Sequence, residues 1–240
     1  MRTLSFLFLP VALCLTAQDD LPLRLAKIQG MATDPLQDLQ GQLAAAELPA
    51  EARAYHEAYL NYALVTRLRE KDPKGAEALL DRTMKALEPR QDGESLALLG
   101  ACIGLKLGFS PMSGMTLAPK ASRLFEKATQ ASPASPRVRL FHGSHVLHTP
   151  AFFGGGPKKA LPILEGAVQT AEAEAQKPPT DPWAPRWGRV EAYAWLAIAQ
   201  ASAGLQTEAE TSLAKGRALD PEHGFLNYAV RRVAAAKAKS

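Results

Sequence analysis

The chain has 240 residues, 47% of them apolar and only 7% aromatic, enough to bury one or two cores. It lacks the alternating runs of β-branched residues that a sheet would need, so the composition points to an all-α fold. Lys and Arg number 28 against 24 Asp and Glu, a net charge of +4. These basic residues lie scattered along helical patterns rather than beside aromatics, which argues against nucleic acid as a partner.

Taken in chain order, residues 1–17 read as a secretory signal. Arg2 precedes an apolar run from Leu4 to Leu15, and Thr16-Ala17 offers small residues for cleavage ahead of polar Gln18-Asp19-Asp20. The run is too short to span a bilayer, which takes about 20 residues. A lipoprotein anchor at Cys14 is disfavoured because bulky Leu13 precedes it. Cleavage after Ala17 leaves Cys102 as the one thiol, placed in LLGACIGL as a core residue with no partner for an internal disulfide.

Residues 18–48 are expected to hold N-terminal helices. LPLRLAKIQGM reads as one short helix, and Asp34-Pro35 opens another with Leu36, Leu39 and Leu43 on one face. Residues 49–221 then read as four helix pairs, near 49–89, 92–133, 135–177 and 187–221. In the first, Tyr55, Tyr59 and Tyr62 form a stripe at helical spacing, and Asp72-Pro73 starts a partner helix carrying Ala76, Leu80 and Thr83. In the second, Leu96, Leu99, Gly100 and Ile103 face Ala121, Phe125 and Ala128. The segment GFSPMSGMTLAP between them is expected to be a loop whose Met112, Met115 and Leu117 fold back onto the array.

The third pair opens at Ser135-Pro136, has Gly143 at its small position, and continues with Ala160, Leu164 and Ala167. Pro162 sets the start of that second helix near Lys158 or Lys159. The proline-rich KPPTDPWAPRWG is expected to be a stiff connector, with Trp183 and Trp187 laid on neighbouring helices. In the fourth pair Tyr193, Leu196 and Ala197 share one face, Gly204 ends the helix, and Ala209, Leu213, Gly216 and Leu219 line its partner up to Asp220-Pro221. Residues 222–240, with Phe225, Leu226, Ala229, Val230 and Val233, form a helix that covers the open end.

The stretch Val190–Pro221 resembles a tetratricopeptide repeat (TPR) without a gap. Tyr193, Leu196, Ala197, Ala209, Leu213, Gly216 and Pro221 stand at its signature positions, with departures at Leu213, Gly216 and Gln200. The string TPAFFGGG also resembles an insert of exported bacterial TPR-like proteins. The resemblance implies a TPR-like α-solenoid, a right-handed superhelical array of about four antiparallel pairs with loop insertions and terminal helices. It further implies a concave groove lined by the first helix of each pair. Carried over by position, the lining is Ala58, Asn61, Val65 and Leu68; Glu94, Ala97, Ala101 and Gly104; Arg137, Leu140, Ser144 and Leu147, with His148 beside them; and Glu191, Ala194, Ile198 and Ala201. Small and apolar, it suits an apolar partner better than an acidic peptide.

Three features carry candidate chemistry. His142, His145 and His148 recur every three residues, so the outer pair diverges by about 120° on a helix, and no carboxylate accompanies them; a metal site is not expected. Gly154, Gly155 and Gly156 followed by Lys158 and Lys159 form a candidate anion loop at a helix start, the alternative being a tight reversal anchored by Phe152 and Phe153. No nucleophile, base and acid occur at informative spacing, so the chain is not expected to be an enzyme, and no cofactor is implied. The reading is an exported scaffold, periplasmic or secreted, that binds an apolar protein segment in its groove. The alternative is a carrier of a small apolar or lipid-like ligand, resembling TPR components of tripartite transporters. A metal-dependent enzyme ranks third.

Overall fold

A computed structural model describes residues 21–177 and 180–238, and every regular element among them is helical. The expected signal segment lies outside the described residues. The first segment is α1 (Leu21–Leu25) followed by a 3-10 turn at Ile28–Gly30, not one continuous helix. Leu21, Leu25 and Ile28 are buried all the same. Next comes α2 (Thr33–Ala45), whose buried side is Leu36, Leu39 and Leu43 at the expected spacing.

Four antiparallel pairs follow: α3 (Ala50–Leu68) with α4 (Pro73–Leu87), α5 (Gly93–Phe109) with α6 (Gly114–Ala131), α7 (Pro136–His148) with α8 (Pro157–Ala175), and α9 (Arg189–Ser202) with α10 (Gln206–Leu219). Side-chain caps set several starts. Asp72 accepts from the Gly75 amide at 2.9 Å, Asp92 from Ser95 at 2.9 Å and Ser135 from Val138 at 3.3 Å. Small residues then let the axes close. A Cβ on Gly100 would sit 2.8 Å from Cζ of Phe125, so α5 and α6 meet at a distance only glycine permits. Gly204, at φ 84°, reverses the chain between α9 and α10.

The segment expected as a loop before α6 is mostly helix. α5 runs on to Phe109, a 3-10 turn spans Pro111–Ser113, and α6 begins at Gly114 with Pro119 inside it. Pro119 removes one internal hydrogen bond near the helix start, too little to undo the packing of Ala121, Phe125 and Ala128. Leu117 packs on the core as expected, whereas Met112 and Met115 are 98% and 92% exposed and do not fold back. Similarly, α8 starts at Pro157 and tolerates Pro162 within it.

Successive pairs stack in chain order, α5 on α7 and α8 on α9, in the manner of an α-solenoid. The last helix, α11 (Gly224–Lys237), packs on α9 and α10 and also reaches the Ile28–Gly30 turn. There the His223 ring lies against Gly30. The two ends of the described chain therefore touch, a closure that no local sequence pattern announces.

Candidate functional site: an open aromatic face beside His148

The carried-over lining residues divide sharply by environment. Val65, Ala97, Leu140, Ala194 and Ile198 are buried in contacts between helices, and Ala101, Ser144 and Asn61 are half-buried, Asn61 accepting from Gln40. Glu94 and Arg137 pair with each other. Arg137 Nε donates to Glu94 at 2.8 Å, its terminal nitrogens donate to both oxygens of Glu174 at 2.8 and 2.6 Å, and Nη1 also reaches the Trp187 carbonyl at 3.0 Å. Burial by itself would depress this guanidinium, but the bond to Glu174 and the charges of both carboxylates hold its pKa above the ordinary value. The cluster ties α5, α7, α8 and the connector together, and its charges are spent internally.

The connector is laid across the same helices. The Trp187 ring stacks on Tyr59 at 4.1 Å, meets Phe141 edge-on at 5.2 Å, and donates Nε1–H to the Tyr55 hydroxyl at 3.2 Å. His56 bonds the Trp183 carbonyl at 2.8 Å, and burial lowers its pKa. Glu191, 4% exposed, accepts from the Gly188 amide at 3.1 Å and lies 3.4 Å from His223. These residues seal the array.

The three histidines of α7 do not converge. His142 and His145 turn toward α6, the first stacked at 5.7 Å and the second tilted at 4.8 Å from the Phe125 ring. Thr129 lies 3.5 Å from His142 and Ser122 3.3 Å from His145. Burial, then repulsion from His142 and His148, pushes His145 down to about 4. His148 points elsewhere, edge-on to Trp195 of α9 at 5.4 Å. Among the described residues no group of three His, Cys, Asp or Glu side chains is placed to hold a metal ion.

His148 is exposed, and its Nδ1 lies 2.7 Å from the Ser144 carbonyl. A carbonyl only accepts, so Nδ1 carries the proton and Nε2 keeps its lone pair. Beside it Trp195 meets Phe225 at 5.3 Å and Tyr228 at 6.4 Å, and Phe225 and Tyr228 stack at 5.4 Å. All three rings are half-buried, with Leu147, Val190 and Val230 around them. Arg231 and Arg232 follow Tyr228 by three and four residues, on its side of α11, and both are exposed. The arrangement is an apolar patch of mutually inclined rings, Trp195 at 48° to Phe225 and 66° to Tyr228, with one imidazole nitrogen at its rim and cations nearby. Such a surface can stack a planar ring, ligate a metal centre within it, and pair with its acidic substituents. Of these residues the motif positions pointed to Ser144 and Leu147, with His148 beside them, and not to Trp195, Phe225 or Tyr228. Trp195 lies off the face shared by Tyr193 and Leu196, and that placement was the available signal.

The candidate anion loop is built differently from an anion cradle. The amides of Gly154, Gly155 and Gly156 donate to the carbonyls of Ala151, Pro150 and Val146 at 3.0, 3.2 and 2.8 Å, so all three point into the turn. Gly154 and Gly156 take φ of 86° and 104°, the tight reversal foreseen as the alternative. Phe152 and Phe153 do not anchor it, being 91% and 75% exposed. Lys158 and Lys159 are exposed as well. Elsewhere, an open cleft of about 540 Å³ between α10 and α11 is lined by Leu213, Arg217 and Val230 among others, and a smaller one of about 270 Å³ by Glu174, Arg186 and Trp187. Ser144 donates to the Phe141 carbonyl at 3.0 Å, and burial raises the Cys102 thiol, so neither is a prepared nucleophile.

No protein-family model matches the chain, and no curated protein is similar to it. Its fold is similar to that of the HusA haemophore from Porphyromonas gingivalis, with a TM-score of 0.58 and 25% identity over 78% of this chain and 94% of that one. No helix among the described residues is long and apolar enough to cross a membrane.

Proposed function

We propose that this protein is an exported, non-enzymatic carrier of a planar apolar ligand of the haem class. Trp195, Phe225 and Tyr228 would hold the ligand, and His148 Nε2 would supply a nitrogen donor to its metal. The observation that carries this reading is His148 itself, fixed through Nδ1 to the Ser144 carbonyl and free at Nε2 beside three half-buried rings. A second-sphere acceptor on the remote nitrogen is what imidazole ligands of metals generally have. Arg231 and Arg232 pair with the ligand's carboxylates. The likeness to a haemophore supports the ligand class, and the apolar run of residues 4–15 supports export, periplasmic or secreted, after cleavage at Ala17.

The helix pairs are read as a TPR-like solenoid with right-handed superhelical curvature. Burial of Val65, Ala97, Leu140, Ala194 and Ile198 counts against docking an apolar protein segment along the first helices, so the carrier is preferred to the scaffold. The test is an absorption titration with haemin. Wild-type protein is expected to bind saturably with the band positions of imidazole ligation, and His148→Ala to lose that signature and bind at least about tenfold more weakly. Absence of saturable binding, or an unchanged spectrum in His148→Ala, overturns the assignment.

A further inference from the structure

The edge of the array formed by the turns between α5 and α6 and between α7 and α8 has no role in the carrier reading. Among the described residues, five of the six exposed large apolar residues, Met112, Met115, Phe152, Phe153 and Leu205, lie in or within two residues of the turns joining the two helices of a pair. These turns share one edge. The contact of Ser122, midway along α6, with His145 near the end of α7 puts the first half of α6 on the side where α7 ends, and Ala160 and Leu164 of α8 cluster with Leu196 and Ala199 in the second half of α9. Isolated exposed apolar residues are ordinary, but a concentration on one edge is not.

The Phe152–Phe153 turn is also rigidly made. Besides the inward amides, a Cβ on Gly155 would sit 2.2 Å from the Thr149 carbonyl oxygen, so the chain takes a path open only to glycine while presenting two rings outward, in edge contact with each other at 5.2 Å. Charge is positive at the α5–α6 and α7–α8 turns, though not at the third, where Glu208 and Glu210 follow Leu205. Between Glu94 and Glu165 the one acidic residue is Glu126, and Lys158 and Lys159 have no carboxylate partner among the described residues. Two lysines in the first turn of α8 oppose its own dipole, so helix stability does not explain them.

We infer that this edge docks the protein on an anionic lipid surface, Phe152 and Phe153 entering the boundary between headgroups and acyl chains while Lys158 and Lys159 meet the anionic headgroups. Met112 and Met115 from the adjacent turn extend the apolar contact. Aromatic and aliphatic side chains flanked by lysine suit that boundary, where apolar burial and attraction to anionic lipid add.

The experiment is flotation of the purified protein with phosphatidylcholine vesicles made with and without phosphatidylglycerol. Wild-type protein is expected to float with the anionic vesicles, less so in high salt, and weakly with phosphatidylcholine alone. Phe152→Ser with Phe153→Ser is expected to weaken binding about tenfold or more, with unchanged thermal unfolding because both rings are exposed. Lys158→Gln with Lys159→Gln should remove most of the preference for anionic lipid. His148→Ala and Trp195→Ala should float like wild type, so failure of the haem reading leaves this one standing. No flotation, or flotation that neither pair of substitutions alters, overturns the proposal. Capture of an envelope protein by this edge without vesicle binding overturns it in favour of a protein receptor.

Discussion

The molecule contains two aromatic clusters of similar composition and opposite construction. In the first, Tyr55, Tyr59, Phe141 and Trp187 are buried, and the Trp187 indole finds the Tyr55 hydroxyl. In the second, Trp195, Phe225 and Tyr228 are half-buried, with Trp195 packed against the core on one side, while His148 at their rim is exposed. Aromatic rings sealed by a connector contribute stability; rings left open beside an available imidazole nitrogen offer binding energy to a ligand. Side chains of the same types thus serve folding in the first cluster and, in the proposed carrier, recognition in the second.

The sharpest way to break this contrast is to open the sealed cluster. Trp187→Ala should cost about 3–5 kcal/mol, read by chemical denaturation, because it empties the space between α3 and α7. Arg137→Ala should cost a similar amount, on the order of 3–5 kcal/mol, by stranding Glu94 and Glu174 without their cation. A small loss from either would mean that the connector is not integral to the fold.

A smaller effect should appear with pH. His145 in the folded chain is held down at about 4, and His56 and His142 are also lowered, whereas an unfolded histidine titrates near 6.5. Between these values the unfolded chain binds more protons than the folded one. Stability is therefore full above about pH 6.5 and falls as the pH drops toward 4. Thermal unfolding across that range measures it, and His145→Gln should flatten the slope. Weaker still, Gly204→Ala should cost about 1 kcal/mol through its left-handed backbone alone, since no atom crowds the site.

How much of this was legible beforehand differs by region. The all-helical class and the inward stripes were written in the spacing of Leu36, Leu39 and Leu43, of Ala121, Phe125 and Ala128, and in the caps at Asp72 and Ser135, all local features. Trp187 was legible as a packing residue because a tryptophan in a stiff connector has few other uses. The long α5 and α6 were not. Proline and glycine in 108–119 suggest a loop, yet one lost hydrogen bond at Pro119 is outweighed by tertiary packing. The aromatic face was hidden because it joins α7, α9 and α11, and a contact between His148, Trp195 and Phe225 depends on how pairs stack. The outward Phe152 and Phe153 run against the expectation that they anchor the glycine turn, and that departure is what the proposed lipid-docking edge rests on.

The most direct measurement compares Trp195→Ala with Trp187→Ala, each assayed for thermal unfolding and for haemin affinity. Trp195→Ala is expected to shift the midpoint by a few degrees at most and to weaken haemin about tenfold or more, while Trp187→Ala lowers the midpoint on the order of 10 °C. Haemin bound equally well by Trp195→Ala and wild-type protein, or a collapse of stability in Trp195→Ala as large as that in Trp187→Ala, would contradict the contrast between the two clusters.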